Sequence, residues 1–248
     1  MNVRLVLVVP CYNEAARLQA QPFLRFTSST RDAGILFVND GSTDGTATVL
    51  ADIASGGGGR IDVKALPANV GKAEAVRQGV QAALRHGPAL VGYWDADLAT
   101  PLAAVRDFLA ILDERPSVDI VMGSRVNLLG RYVERRPMRH YVGRLFATAA
   151  SVALGVAVYD TQCGAKIFRV TPAITSAFAT PFRSRWTMDV ELLARYLDET
   201  GRSSATDHIC EVPLHEWRDM AGSKVRPIQG LRAFSDLAAI WWKRRRSY

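Results

Sequence analysis

The sequence has little cysteine: three in 248 residues, Cys11, Cys163 and Cys210, far apart and odd in number. None belongs to a Cys-x-x-Cys pair. That argues against a disulfide framework and a structural zinc site, and it fits a reducing cytosol. Long apolar runs are missing too. The longest uncharged stretch covers residues 145–159 and contains Ser, Thr and Gly, whereas a bilayer-spanning helix needs roughly 18–20 apolar residues. Residues 1–4 lead straight into an apolar run, so no cleavable leader is expected. No Gly-x-Gly-x-x-Gly follows that run, which disfavours a dinucleotide oxidoreductase. Internal repeats are absent. A chain of this length buries one substantial core in one or two domains.

Negative charge is the scarcer sign, with 24 acidic residues against 31 Lys and Arg, a net charge of +7. The excess is localised. Arg125, Arg131, Arg135, Arg136, Arg139 and Arg144 fall close together against Glu134 alone, and Lys243, Arg244, Arg245 and Arg246 follow near the end. The remainder is slightly acidic. Such patches call for an anionic partner: nucleic acid, acidic lipid or a phosphorylated substrate.

The first half alternates strand and helix patterns. Apolar runs at 3–9, 35–38, 61–66, 89–94 and 118–122 predict buried strands. Helices are predicted at 13–26, 43–53 and 73–85, and residues 55–59 form a Gly-rich connector. Thr100 and Pro101 read as the start of the next helix, which carries Leu102, Val105, Leu109 and Leu112. Repeated β-α units of this kind predict an α/β fold with a parallel sheet covered on both faces. The pattern is less regular after Ser124.

Each early strand ends in polar residues. They are Pro10-Cys11-Tyr12-Asn13-Glu14, Asn39-Asp40-Gly41-Ser42-Thr43-Asp44, Asn69-Val70-Gly71-Lys72 and Asp95-Ala96-Asp97. Open α/β sheets bind ligands at this edge. Asp95 and Asp97 offer hard oxygen donors suited to Mg²⁺ or Mn²⁺ carrying a diphosphate. Singly, each tip also suits a cap or a turn. Together they suit a nucleotide diphosphate. Tyr12 can pack on a base, Asp40 can accept from a base N–H, and Glu14 from ribose hydroxyls. The helix start at Gly71 and Lys72 favours negative charge.

These segments resemble an inverting GT-A glycosyltransferase of family two, and more closely the dolichyl-phosphate or polyprenyl-phosphate β-glucosyltransferases. Further matching pieces are Gly123-Ser124-Arg125, the stretch 160–168 (Asp-Thr-Gln-Cys-Gly-Ala-Lys-Ile-Phe), the stretch 185–192 (Arg-Trp-Thr-Met-Asp-Val-Glu-Leu) and Gly222-Ser223-Lys224. The resemblance implies a Rossmann-like, mostly parallel GT-A sheet with helices on both faces. A catalytic domain would span 1–227, with a donor half to about 124 and an acceptor half from about 125. It implies a UDP-sugar donor, Mg²⁺ or Mn²⁺, and a polyprenyl phosphate acceptor. Pro10, Tyr12, Glu14, Asp40, Gly71, Lys72, Asp95, Ala96 and Asp97 would bind the donor. Asp97 would hold the metal directly, and Asp95 would contact ribose or a metal-bound water. Arg125, Arg131, Arg139, Gly164 and Lys166 would serve the acceptor. Asp97, Asp189, Arg125 and Lys224 would carry the chemistry. Two departures stand out. Ala99 lacks the donor atom that related mannosyltransferases often place there, and Ala73 replaces a frequent Gly.

Glucose is the expected sugar. A GDP-mannose donor, or a hydroxyl acceptor on a sugar, diacylglycerol or protein, is the alternative. A hydroxyl acceptor would need Asp189 as a base; a phosphate would not. A nucleic-acid-binding module would leave the Asp-rich tips unexplained, so no nucleic-acid partner is expected. Residues 228–248 carry Ile228, Leu231, Phe234, Leu237 and Trp241 at helical spacing, then Trp242 and a polybasic end. That reads as an amphipathic membrane-docking helix, placing the protein peripherally on the cytoplasmic face of a membrane.

Overall fold

The computed structural model describes the backbone of residues 1–134, 137–184, 186–219 and 227–246, and side chains except at 137–140, 204, 227–232, 243 and 246. Arg135, Arg136, Arg185 and the expected Gly222-Ser223-Lys224 segment therefore lie outside the described residues, as does the Arg139 side chain.

The first five strands are β1 (Leu5–Cys11), β2 (Ala33–Asn39), β3 (Ile61–Ala65), β4 (Leu90–Trp94) and β5 (Ile120–Ser124). Between them run α1 (Ala20–Ser29), α2 (Thr46–Gly56), α3 (Lys72–Leu84) and α4 (Val105–Glu114). The second half adds β6 (Tyr132–Glu134), α5 (Pro137–Leu154), β7 (Ala165–Arg169), α6 (Pro172–Ala177) and α7 (Met188–Thr200). The short α8 (Ala205–His208), β8 (Ile209–Pro213), β9 (Glu216–Arg218) and α9 (Pro227–Arg246) complete it. Seven strands form one sheet in the order β3-β2-β1-β4-β7-β5-β8, while β6 and β9 pair separately.

The sheet is parallel except for β7, which runs antiparallel to both β4 and β5. The β-α repeat does not announce this strand. Its direction matters for the site, because the start of β7 now lies at the edge where the parallel strands end. Successive side chains of a strand face opposite ways. Val6 and Val8 enter one core with α3, α5, α6, α7 and α9. Leu5, Leu7 and Val9 enter the other with α1, α2 and α4. Burial on both faces explains why the strands read as continuous apolar runs.

Two helix starts differ from expectation. Residues 12–19 form a tip instead of a helix: Asn13 has φ 51°, and α1 begins at Ala20. Pro22 then falls in the first turn, where a missing N–H costs nothing. Thr100 and Pro101 do not open α4. Pro101 is extended and a 3₁₀ turn covers Leu102–Ala104. The Thr100 carbonyl instead accepts Trp94 Nε1 at 2.8 Å, anchoring it to the end of β4.

The C-terminal helix is present, and it packs on the domain. Leu237 is buried in the same core as β1 and α7, and Phe234 meets Phe146 of α5 edge-on at 6.0 Å. Part of the face expected to meet a bilayer is thus used against α5 and α7, while Trp242 stays exposed. Among the described residues no helix is long and apolar enough to cross a membrane.

α3 lies close on the sheet because Gly79 has no side chain. A Cβ there would sit 2.4 Å from Val8 Cγ1 and 2.7 Å from Val38 Cγ2. Gly79→Ala is expected to cost about 1–3 kcal/mol through overpacking, read as a lower urea midpoint at unchanged slope.

Candidate active site

The ends of β1, β2 and β4 and the start of β7 meet at one edge of the sheet. The first two tips are stapled together. Asn13 N donates to Ser42 Oγ at 3.0 Å, Thr43 N donates to Asn13 Oδ1 at 2.9 Å, and Glu14 N donates to Thr46 Oγ1 at 2.8 Å. Pro10 and Tyr12 are half-buried there. Glu14 is buried, and its carboxylate grips the Arg17 guanidinium. Asp40 is buried as well. It accepts Val70 N at 2.8 Å, Gly71 N at 2.9 Å and Asn69 Nδ2 at 3.0 Å. Its carboxylate therefore fixes the loop that leads into α3, with Gly71 at φ 91°. Contact with a base, the role expected of Asp40, has to be shared with this one.

Lys72 opens α3 and forms an ion pair with Asp95. Its pKa is raised: partial burial works against the ammonium, but the charges of Asp95, Asp189 and Asp97 outweigh it. Asp95 and Asp97 flank the buried Ala96. Ala99 N donates to Asp97 Oδ1 at 3.0 Å. The Asp97 pKa is raised, first by burial and then by the neighbouring Asp95 charge. Among the described residues Asp97 has no ion-pair partner, and no cluster of three or more His, Cys, Asp or Glu forms a closed metal cage. The donor set thus suits a divalent cation completed by diphosphate and water oxygens. Such a cation relieves the repulsion between two adjacent carboxylates.

Gly164 was expected to serve the acceptor; the structure puts it against Asp95. Its carbonyl accepts Asp95 N at 2.9 Å, and a Cβ there would lie 1.9 Å from Asp95 Oδ2. Only glycine leaves room for that carboxylate. Lys166, also expected at the acceptor, is wholly buried. Its ammonium donates to Thr161 O at 2.9 Å, Cys163 O at 2.6 Å and Asp189 Oδ1 at 2.8 Å. All three of its donors are used, so Lys166 builds the site from behind. Asp189, in the first turn of α7, also accepts the Tyr93 hydroxyl. Burial, with the Asp189 charge beside it, pushes the Tyr93 pKa well above its usual value.

Arg125 lies just beyond β5. It donates twice to Asp160, from Nε at 2.6 Å and Nη2 at 2.7 Å, and lies over the Trp217 ring at 5.3 Å. Burial opposes its charge, yet the Asp160 carboxylate more than compensates and the pKa rises. Glu211 on β8 holds the Tyr159 and Asp160 amides at 2.8 Å each. Arg131 is half-buried beside β6.

The structure thus brings together Pro10, Tyr12, Glu14, Asp40, Gly71, Lys72, Asp95, Ala96, Asp97, Gly164, Lys166 and Asp189, with Arg125 on the adjoining strand. Sequence reading missed Arg17, Tyr93, Asp160 and Glu211. Glu14 and Arg17 stand three residues apart, which was the available signal.

A doubly wound sheet whose carboxyl edge gathers an aspartate pair and a lysine at a helix N-terminus fits a nucleotide-binding α/β enzyme, and its relatives make it a hexosyltransferase of the GT-A fold. The chain belongs to glycosyl transferase family 2, whose model matches residues 6–175. It is 30% identical over 251 residues to a dolichyl-phosphate beta-glucosyltransferase of Trichomonas vaginalis, covering 96% of this chain and 71% of that protein. It is 31% identical over 267 residues to the Drosophila melanogaster dolichyl-phosphate beta-glucosyltransferase, covering 97% and 75%. The Mycobacterium tuberculosis glucosyl-3-phosphoglycerate synthase shares the fold, with a TM-score of 0.69 at 20% identity over 98% of this chain and 80% of that one. Another structure of that synthase, holding Mn²⁺, UDP and glucosyl-3-phosphoglycerate, gives a TM-score of 0.66 at 20% identity over the same shares.

Two expectations follow from this geometry. Gly164→Ala should leave the fold intact and lower sugar transfer by about 100-fold, because Asp95 must move by an ångström or more; steady-state kinetics beside a thermal melt will check it. The thiols should separate by burial. Burial raises the Cys163 pKa to about 11, against the pull of Arg125, and raises that of Cys11 still further. At pH 8 only about one Cys163 in a thousand is then thiolate, so the native protein should alkylate fast at Cys210 alone and at all three after unfolding.

Proposed function

We propose that this enzyme transfers a hexose, glucose, from a UDP-sugar to a polyprenyl phosphate, inverting the anomeric configuration. The observation that carries the reading is Asp97 beside the Asp95–Lys72 pair, on a chain whose relatives along almost its full length are named for dolichyl phosphate. UDP as the nucleotide draws support from the solved synthase that binds UDP with Mn²⁺ on the same fold.

Asp97, with Asp95 beside it, would hold Mg²⁺ or Mn²⁺, which offsets the charge that builds on the departing diphosphate. Lys72 adds a fixed cation at the same point, beside a helix N-terminus. Tyr12 and the stapled tips of β1 and β2 form the wall for uridine. Lys224, expected to take part in the chemistry, lies outside the described residues. A phosphate-ester nucleophile has a second pKa near 6 and is already ionised at neutral pH, so it needs no general base. Asp189 agrees with that. It is buried and compensated by Lys166, an arrangement suited to holding shape. A hydroxyl acceptor would ask it to take a proton.

Arg125, Arg131 and Arg139 lie on the acceptor side in this reading. Beside them are exposed apolar residues: Leu128 and Leu129 before β6, then Tyr141, Leu145 and Val152 along α5. Cations next to an apolar strip suit an acidic headgroup with a prenyl tail at a membrane surface. The cytoplasmic face fits the expected nucleotide-sugar supply.

The test supplies undecaprenyl or dolichyl phosphate, Mg²⁺ or Mn²⁺ and a panel of radiolabelled nucleotide sugars, and counts label in the organic phase. Label should pass from UDP-glucose and disappear with EDTA. Asp97→Ala should lower transfer by about three orders of magnitude, whereas Asp189→Asn should keep activity within about tenfold. Label from GDP-mannose alone would remove the glucosyl assignment. Transfer in EDTA would remove the role given to Asp97.

A further inference from the structure

A hydroxyl group links the C-terminal helix to the start of α7. Asp236 on α9 accepts the hydroxyl proton of Ser184, which is buried. The same oxygen accepts the amides of Trp186 at 3.2 Å and Thr187 at 3.0 Å. A serine hydroxyl has one proton to give and two lone pairs. All three are used here, so its orientation is determined: proton toward α9, lone pairs toward the start of α7. Thr187 is the N-cap of α7, and Asp189 follows two residues later, bonded to Lys166 and Tyr93. An unbroken chain of contacts therefore runs from Asp236 to the buried heart of the site.

The surroundings give this contact unusual weight. The seam between α7 and α9 is not close-packed throughout. A half-open cleft of about 650 Å³ borders it, walled by the end of α6 and the loop after it as well as by α7 and α9, with Ser184, Glu191, Asp198, Asp236 and Arg244 on its lining. Polar clasps on its wall, Asp236 with Ser184 and Arg244 with Asp198 at 3.0 Å, supplement the apolar contacts of Ala233 and Leu237. A hydroxyl donating to an ionised carboxylate makes a hydrogen bond roughly twice as strong as a neutral one. Beside the apolar contacts of Leu237 and Phe234, such a bond fixes how the helix meets the start of α7.

We propose that Asp236 is a positioning residue: acting through Ser184, it sets the first turn of α7 and with it the placement of Asp189. The seat of α9 then becomes a condition of turnover as well as of stability. The kinetic part of this proposal rests on the transferase reading above; the structural part does not.

The experiment compares Asp236→Ala, Ser184→Ala and the double variant with two conservative ones, Asp236→Asn and Ser184→Thr. Amide hydrogen exchange at Trp186 and Thr187 is followed by NMR with α3 amides as the internal control, alongside kcat and donor KM. Loss of one such bond should speed exchange at those two amides by about tenfold relative to α3. It should lower kcat by about tenfold with donor KM within about twofold. The double variant should be no worse than the poorer single one. Asp236→Asn and Ser184→Thr keep the acceptor oxygen and the hydroxyl, and should recover most of both readouts. Unchanged exchange at Trp186 and Thr187 in Asp236→Ala overturns the proposal. So does an equal loss in Asp236→Asn, or additive losses in the double variant. Should Asp236→Ala not fold, the exchange rates of Asp236→Asn and Ser184→Thr decide, near wild type in support and alanine-like against. Exchange needs no substrate, so a wild-type chain that moves no sugar counts against the function proposed above and leaves this reading to the amides.

Discussion

A buried ammonium group organises the site. Lys166 is sealed from water, and a charge in that position is tolerated only when every proton finds a partner and an opposite charge stands beside it. Two partners are carbonyls of the loop before β7, and the third is Asp189 at the start of α7. One side chain thus draws a loop, a strand and a helix terminus to the same point. Tyr93 closes the arrangement from β4, with its ring 5.3 Å from the ammonium. Removing the lysine would strand a buried carboxylate, and removing the aspartate would strand a buried cation.

Around this centre the charges are arranged in compensated pairs. Glu14 holds Arg17, Asp95 holds Lys72, and Asp160 holds Arg125. Asp97, beside Asp95, has no ion-pair partner among the described residues. Its pKa is raised, first by burial and then by the charge of Asp95, against the pull of Lys72 and Arg17. A nucleotide diphosphate alone would be repelled by the Asp pair, and a divalent cation turns the same pair into an anchor. In the function proposed above, the pair would hold metal and diphosphate together.

Much of this was legible in the sequence. The apolar runs gave the five early strands to within a few residues, and the polar tips gave the edge where ligands meet the sheet. What stayed hidden was set by tertiary contacts. The direction of β7 depends on its neighbours, and its five residues, Ala-Lys-Ile-Phe-Arg, carry no sign of it. Residues 13–26 read as one helix, yet the amides of Asn13, Glu14 and Ala15 go to Ser42 and Thr46 across the gap between two strands. Lys166 and Gly164 stood out by resemblance to a family. Their work, one as a buried tie and the other as a space left for Asp95, needed coordinates to see. The helix at the end was read from its amphipathic pattern, but the pattern does not say whether lipid or α7 covers it.

The place of β7 also bears on how the chain is made. The strand lies between β4 and β5 in space but after both in sequence, separated from them by α5. A nascent chain that has emerged only as far as β5 holds two strands with open edges and nothing to lay between them. Such edges recruit other chains. Synthesis must run on past residue 169 before the gap can be filled, so the interval is one in which a chaperone that shields strand edges would earn its keep.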